Sequence, residues 1–382
     1  MAVRRGQPLR QVARKAGVSL STVQLWVARA GQRPLDDVEW AGRSARPHHT
    51  RRTPRDVEDR VLQVRHELKA TSDLGEFGAA AIRRALLGHG QPAVPAVRTL
   101  GRILERRGAL DGRRRIRRPP PPRGWYLPAV AQRQGELDSV DIIEGLHLRG
   151  GGPHIEVLTV ISLHGGLVGA WPGLPVTAKG AVELLLAHWR AVGLPHYVQF
   201  DNDNIFQGPH QHRDAVGRVV RLCLGLGLTP VFAPPREPGL QAAIEAFNGR
   251  WQAKVWARFP YESVAALQAQ SARYITAVRH RAALTIDSAP ARRPVASTWH
   301  LDLQAPPRGQ VIYVRRTTER GEVHLLGRTF AVDPLWGFRL VRCEVDFTAE
   351  QIRCYALRRR QPDHQPLLAE LPYALPRRRF EE

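Results

Sequence analysis

Apolar positions recur at helical spacing through the front of the chain and change to short strand-like runs after about residue 135. Leu9, Val12 and Ala13 share one side of a short helix that stops at Gly17. Ser19 then caps a second helix whose inner face is Val23, Trp26 and Val27. This is helix-turn-helix spacing. In such a unit the second helix offers Ser21, Thr22 and Gln24 to base edges in the major groove, with Arg29 available to phosphate. Residues 33–55 read as a loop. Val57, Val61, Leu62, Val64 and Leu68 mark an amphipathic helix over 56–70, and helices over 78–87 and 94–107 complete a second helical module. Two tandem modules would read a longer DNA site than one.

Further on, strands are expected from Asp138 to Leu148, from Ile155 to Leu163 and from Leu167 to Pro172. A helix over 179–192, a strand Tyr197-Val198-Gln199-Phe200, a helix over 214–226, a strand over 230–233 and a helix carrying Glu245 follow. That order predicts a mixed sheet with helices on its faces. A helix over 263–281 closes the region. Five short alternating runs from Val311 to Tyr355 predict a small C-terminal β-barrel, with Arg-rich faces that can touch DNA.

The sharpest change in composition is Arg113-Arg114-Arg115-Ile116-Arg117-Arg118 followed by four prolines, a stiff linker whose arginines suit phosphate. The divisions expected are therefore a helix-turn-helix over 1–50, a second helical module over 51–112, a linker over 113–130, an α/β core over 131–285, a linker over 286–308 and the barrel over 309–382.

Charge sharpens this picture. The 57 basic residues exceed the 35 acidic ones to give a formal +22, which points to a polyanionic partner bound with counterion release. Three cysteines, Cys223, Cys343 and Cys354, form no C-x-x-C pair, so a disulfide scaffold and a Cys-based zinc finger in the front half are excluded. The chain has no run of eighteen apolar residues and opens on a polar helix, so a cytoplasmic protein is expected.

Acidic residues on apolar strands are costly unless used. Asp138 and Asp141 lie on the first core strand, Asp201 and Asp203 at the end of the fourth, and Glu245 on the late helix. A set of two Asp and one Glu, without Cys or His, suits hard Mg²⁺ or Mn²⁺. Two ions held by such a trio can activate an attacking oxygen and stabilise a leaving one in phosphodiester displacement.

Three blocks carry a family likeness: Gly135-Glu136-Leu137-Asp138-Ser139-Val140-Asp141, then Gln199-Phe200-Asp201-Asn202-Asp203-Asn204-Ile205-Phe206, then Pro234-Pro235 leading to Ile244-Glu245 and Asn248. Together they resemble the catalytic core of DDE transposases and retroviral-type integrases, as found in bacterial insertion sequences. The resemblance implies an RNase H-like fold, two divalent metals (Mg²⁺ or Mn²⁺), hydrolysis at element ends and 3′-hydroxyl strand transfer into target DNA. It implies double-stranded DNA as partner, at least a dimer on that DNA, and a nucleoid-associated bacterial protein. Carried over by position, Asp141, Asp201 and Glu245 take the catalytic and metal-binding places, with Asp138 as the alternative first carboxylate, and Asn202 and Asn248 support them. The chain departs from the family at Asp203 and Ile205 and in a longer spacing between Asp201 and Glu245, with 208–213 as the insertion. A non-catalytic helix-turn-helix DNA-binding regulator, or a degenerate transposase, is the alternative.

Overall fold

The computed structural model describes residues 2–40, 53–91, 93–110, 123–148, 152–209, 212–235, 237, 239–359 and 361–380. They form two compact units, Met1–Asp59 and Arg60–Glu382.

In the first unit, helix α1 (Leu9–Ala16) ends on Gly17, which sits at φ 63° where a side chain would be strained. Helix α2 (Leu20–Ala30) then opens with the Ser19 hydroxyl accepting from the Thr22 amide. The expected inner face is only partly realised: Val23 is buried, but Trp26 and Val27 keep 40% and 38% exposure. Ala13, Ala30 and Val38 do the filling instead, because two short helices enclose too little volume for an indole.

Three helices follow, α3 (Arg55–Thr71), whose first residues belong to the first unit, α4 (Ala79–Gly88) and α5 (Val97–Arg106). Val61, Val64, Ile82, Leu86, Leu100, Ile103 and Leu104 make their common core. A short helix α6 (Pro128–Ala131) leads into the sheet. Strands β1 (Leu137–His147), β2 (His154–Ser162) and β3 (Val168–Gly173) run antiparallel, and helix α7 (Ala178–Val192) returns the chain to β4 (Tyr197–Phe200), parallel to β1. Helices α8 (Asn204–Gln207) and α9 (Arg218–Gly225) lead to β5 (Thr229–Phe232), parallel to β4, and then to α10 (Ala242–Trp251). A π-helical turn, α11 (Val264–Arg281) and α12 (Ala283–Asp287) follow.

One face of this sheet packs on α7 and α9 through Trp189, Leu185, Val219 and Phe200. The other packs on α10 and α11 through Val157, Ile244, Phe247, Trp251 and Tyr274. The mixed sheet with a helix layer on each face agrees with the expected RNase H-like core.

The C-terminal strands are β6 (Gln310–Arg316), β7 (Glu322–Leu325), β8 (Arg328–Ala331), β9 (Leu340–Asp346), β10 (Gln351–Ala356) and β11 (Leu367–Pro372). They do not close into the expected separate barrel. β6 pairs parallel to β5, so one nine-stranded sheet runs β11-β10-β9-β6-β5-β4-β1-β2-β3, while β7 and β8 form a hairpin. The reason lies in β6, whose Val311, Ile312, Tyr313 and Val314 are all buried. Such a run is covered on both faces, which suits an interior strand of a continued sheet rather than the wall of a small barrel. Asp214 helps fix the join: its carboxylate takes Arg328 at 2.5 Å and the Tyr373 hydroxyl at 3.0 Å.

Candidate active site

Side chains alternate along a strand, so Asp138 and Asp141, three residues apart, face opposite sides of the sheet. Asp138 is 1% exposed on the α7 side. There Arg292 grips it with two bonds of 2.9 and 2.6 Å, and the Trp189 indole donates at 3.2 Å.

Asp141 faces the α10 side. Its Oδ1 accepts from the Ile142 amide at 2.9 Å and its Oδ2 from the Asn248 amide group at 2.7 Å. The Asn248 carbonyl in turn accepts from the Thr159 hydroxyl at 2.8 Å, and Thr159 is the cross-strand partner of Asp141 on β2. A chain of hydrogen bonds thus fixes the Asp141 carboxylate from helix and strand together.

In the parallel pairing of β1 with β4, Ser139 is level with Gln199. Continuing that register by two residues brings Asp201 level with Asp141 on the same face. The Asp201 Oδ1 accepts from the Asp203 amide at 3.1 Å, and Asp203 itself caps α8 by accepting from Ile205 at 2.7 Å. Glu245 lies in the first turn of α10, exposed, and one helical turn before the buried Asn248.

Burial, and then the charges of Asp201 and Glu245, push the Asp141 carboxyl up to about 6, against the hydrogen bonds from Ile142 and Asn248. Burial also raises Asp201, helped by Asp203 and Glu144 and opposed by the Asp203 amide. Among the described residues no basic side chain lies within ion-pair distance of Asp141, Asp201 or Glu245. Carboxylate oxygens are the donors a hard cation prefers, and Asp141 feels the charges of both Asp201 and Glu245. Among the described residues no group of three or more His, Cys, Asp or Glu side chains stands close enough together to hold a metal ion. On the same face a groove of about 580 Å³ is lined by Ser139, Ser162, Tyr126, Leu240, Phe247 and Arg250.

Asn202 does not reach the carboxylates: its Nδ2 donates to Ala233 O at 2.7 Å and its Oδ1 accepts from Arg315 at 2.7 Å. In the first unit Ser21 and Gln24 are exposed on α2, while Ser21 and Thr22 lie within 2.8 and 2.7 Å of the Ser19 hydroxyl. Arg29 donates to Trp40 O at 3.3 Å. Arg113, Arg114, Arg115, Arg117 and Arg118 lie outside the described residues.

Sequence reasoning missed Thr159 and Arg315. Thr159 announces itself only once the β1–β2 register is known, and Arg315 sits in a strand read as belonging to another domain. The parity of Asp138 and Asp141, by contrast, was a usable signal: residues an odd number apart on one strand cannot serve one face.

No family model matches the sequence, and no curated protein is similar to it. Several solved structures are. The catalytic core domain of BIV integrase is 19% identical with a TM-score of 0.29, over 37% of this chain and 81% of that one. The HTLV-2 integrase catalytic core domain in complex with magnesium, in its dimeric form, is 12% identical with a TM-score of 0.27, over 35% of this chain and 81% of that one. A chain of the simian T-cell lymphotropic virus intasome in complex with PP2A regulatory subunit B56 gamma is 14% identical with a TM-score of 0.34, over 78% of this chain and 92% of that one. These neighbours are retroviral integrases, two of them catalytic cores; the fold assignment for this chain rests on its own strand order.

Proposed function

We propose that this chain is a DNA transposase or integrase of the DDE type, hydrolysing phosphodiesters at element ends and then transferring the freed 3′-hydroxyls into target DNA. The observation that supports the reading is the setting of Asp141, whose carboxyl feels the charges of Asp201 and Glu245, has no counter-charge at ion-pair distance among the described residues, and is held by Asn248. These carboxylates would hold two Mg²⁺ or Mn²⁺ ions. When bound, the ions supply Lewis acidity at the attacking and leaving oxygens.

The chain's own residues set the geometry. Asn248 and Thr159 lock the Asp141 carboxylate, the Asp203 amide orients Asp201, and the groove beside Arg250 gives the DNA strand a path across the face. In the first step water adds to the scissile phosphorus and the bond to the 3′ oxygen breaks, leaving a 3′-hydroxyl and a 5′-phosphate. In the second step that hydroxyl attacks a target phosphodiester and expels the target's 3′ oxygen. Asp138, clamped by Arg292, is assigned to structure. Ser21, Thr22, Gln24 and Arg29 would read end DNA, with Arg113, Arg114, Arg115, Arg117 and Arg118 on its backbone, and joining two ends calls for at least a dimer.

The test is to incubate wild type and Glu245→Gln with a labelled duplex from the DNA flanking the gene, in Mn²⁺, and to score nicking and joining on a denaturing gel. Metal-dependent products lost in the variant are expected. Footprints on the ends that persist in EDTA, with no product from either protein, would replace the enzyme with a DNA-binding regulator.

A further inference from the structure

Arg315, near the end of β6, reaches under the turn that carries Asp201. Its Nη2 donates to Asn202 Oδ1 at 2.7 Å, and its Nη1 donates to Val314 O at 2.9 Å, with longer contacts to Phe232 O at 3.3 Å and Ala233 O at 3.4 Å. Asn202 closes the loop by donating to Ala233 O at 2.7 Å. The guanidinium lies 5.0 Å over the Tyr313 ring. Strands β4, β5 and β6 are mutually parallel, so one side chain joins the carboxyl ends of all three. In open α/β sheets, ligands bind beyond the carboxyl ends of the strands.

The chemistry of this tie is unusual for a purely structural one. Among the described residues no carboxylate lies within ion-pair distance of Arg315. Partly burying a cation without a counterion is costly, and a strand end needing only a link could use a neutral amide. What a guanidinium adds is a rigid fork of donors that can hold several oxygens in fixed relation. Here those oxygens belong to Asn202 and to the strand end beside it, directly after the residue whose carboxylate faces Asp141.

We propose that Arg315 is a positioning residue for the Asp201-Asn202-Asp203 turn, so that the C-terminal strand β6 helps set the geometry of the active site. This rests on the reading of Asp201 as a site carboxylate. The tail is then part of the catalytic machinery and not an appended DNA-binding module.

The test uses the full chain and two readouts. In metal-free protein, hydrogen exchange of peptides covering 201–207 is compared between wild type, Arg315→Lys, Asn202→Ala and the double variant. Arg315→Lys keeps the charge and loses the fork, so exchange there is expected to rise about tenfold while β2 peptides are unchanged. The double variant should add little to either single change, because both break the same link. Mn²⁺ binding by calorimetry should weaken by up to about tenfold in each variant, no more than the low end of what losing a direct partner of a metal-binding residue costs, because Arg315 and Asn202 hold the turn and not the carboxylate itself. Unchanged exchange in 201–207, a uniform rise across the whole sheet, or full Mn²⁺ affinity in Arg315→Lys would overturn the proposal. Equal Mn²⁺ affinity in wild type and Asp201→Asn would instead overturn the site reading of Asp201, with the exchange comparison still deciding whether Arg315 holds the turn.

Discussion

The two ends of this chain use small hydrophobic elements in opposite ways. The front unit, Met1–Asp59, closes around Ala13, Val23, Ala30 and Val38, with its turn set by Gly17 and its second helix capped by Ser19. The tail contributes β6, β9, β10 and β11 to the core sheet, and its Val311, Tyr313, Val341, Cys343 and Ile352 share a core with Trp189 and Phe200. An element that satisfies its own backbone can be read, moved or lost as a unit. A strand that completes another region's hydrogen-bond ladder cannot, because its absence leaves an open edge.

Truncation gives the largest expected effect. Removing residues 309–382 strips the partner from β5 and exposes much of the shared core, so the remaining chain is expected to aggregate or lose its cooperative melt. Removing residues 1–52, which spares helix α3, should leave the rest folded, with a melting temperature within a few degrees of the full chain. Circular dichroism melts of both truncations decide this. A cooperative, soluble 1–308 fragment would break the contrast.

Within the core, Asp141→Asn should abolish Mn²⁺-dependent nicking, by about a thousandfold or more, while stabilising the metal-free protein at neutral pH. The sign follows from the raised carboxyl. A group moved from 3.8 to about 6 favours the folded state while protonated, so its contribution is full below about pH 4 and is lost as pH rises through about 6. Replacing it with a neutral amide should recover up to about 3 kcal/mol at pH 7 and little at pH 4. Urea melts of both proteins without metal at the two pH values measure the difference. Equal stability of the two proteins at pH 7 would contradict the strain assigned to Asp141.

A smaller loss is expected from Asn248→Ala, which leaves Asp141 Oδ2 and the Thr159 hydroxyl without their shared partner. Mn²⁺ affinity should fall about 10- to 100-fold with the fold intact. Thr159→Val, one step further from the carboxylate, should cost less. If Thr159→Val were the more damaging change, the order of this relay from strand to helix to carboxylate would be wrong.

How much of this could be read from the sequence divides along the same line. The order of core elements was legible, and with it the strands and helix that carry Asp141, Asp201 and Glu245, because local periodicity encodes them. The barrel was misread because alternation reports which residues are buried and not which strand lies beside them. Nothing local in Gln310–Arg316 names β5 as its neighbour. The same gap hid Arg315, whose partners lie 113 residues away at Asn202 and 82 residues away at Ala233. Trp26 failed for another reason: its spacing was that of an inner-face residue, but the unit is too small to enclose it.

The smallest effect isolates the front unit. Ser19 accepts from the Thr22 amide at the start of α2, one of the four amides a helix leaves without internal partners. Ser19→Ala should therefore destabilise that unit by about 1 kcal/mol. Because the residues filling the unit's interior are its own, the loss should stay there: hydrogen exchange should quicken in α1 and α2 while peptides of β1, β2 and α10 keep wild-type rates. End-specific footprinting should weaken with it, since Ser21, Thr22 and Gln24 ride on the same helix, and Mn²⁺ affinity should not change. A matching loss of protection around Asp141 would mean that the front unit is as deeply coupled to the core as the tail is, and the contrast between the two ends would fail.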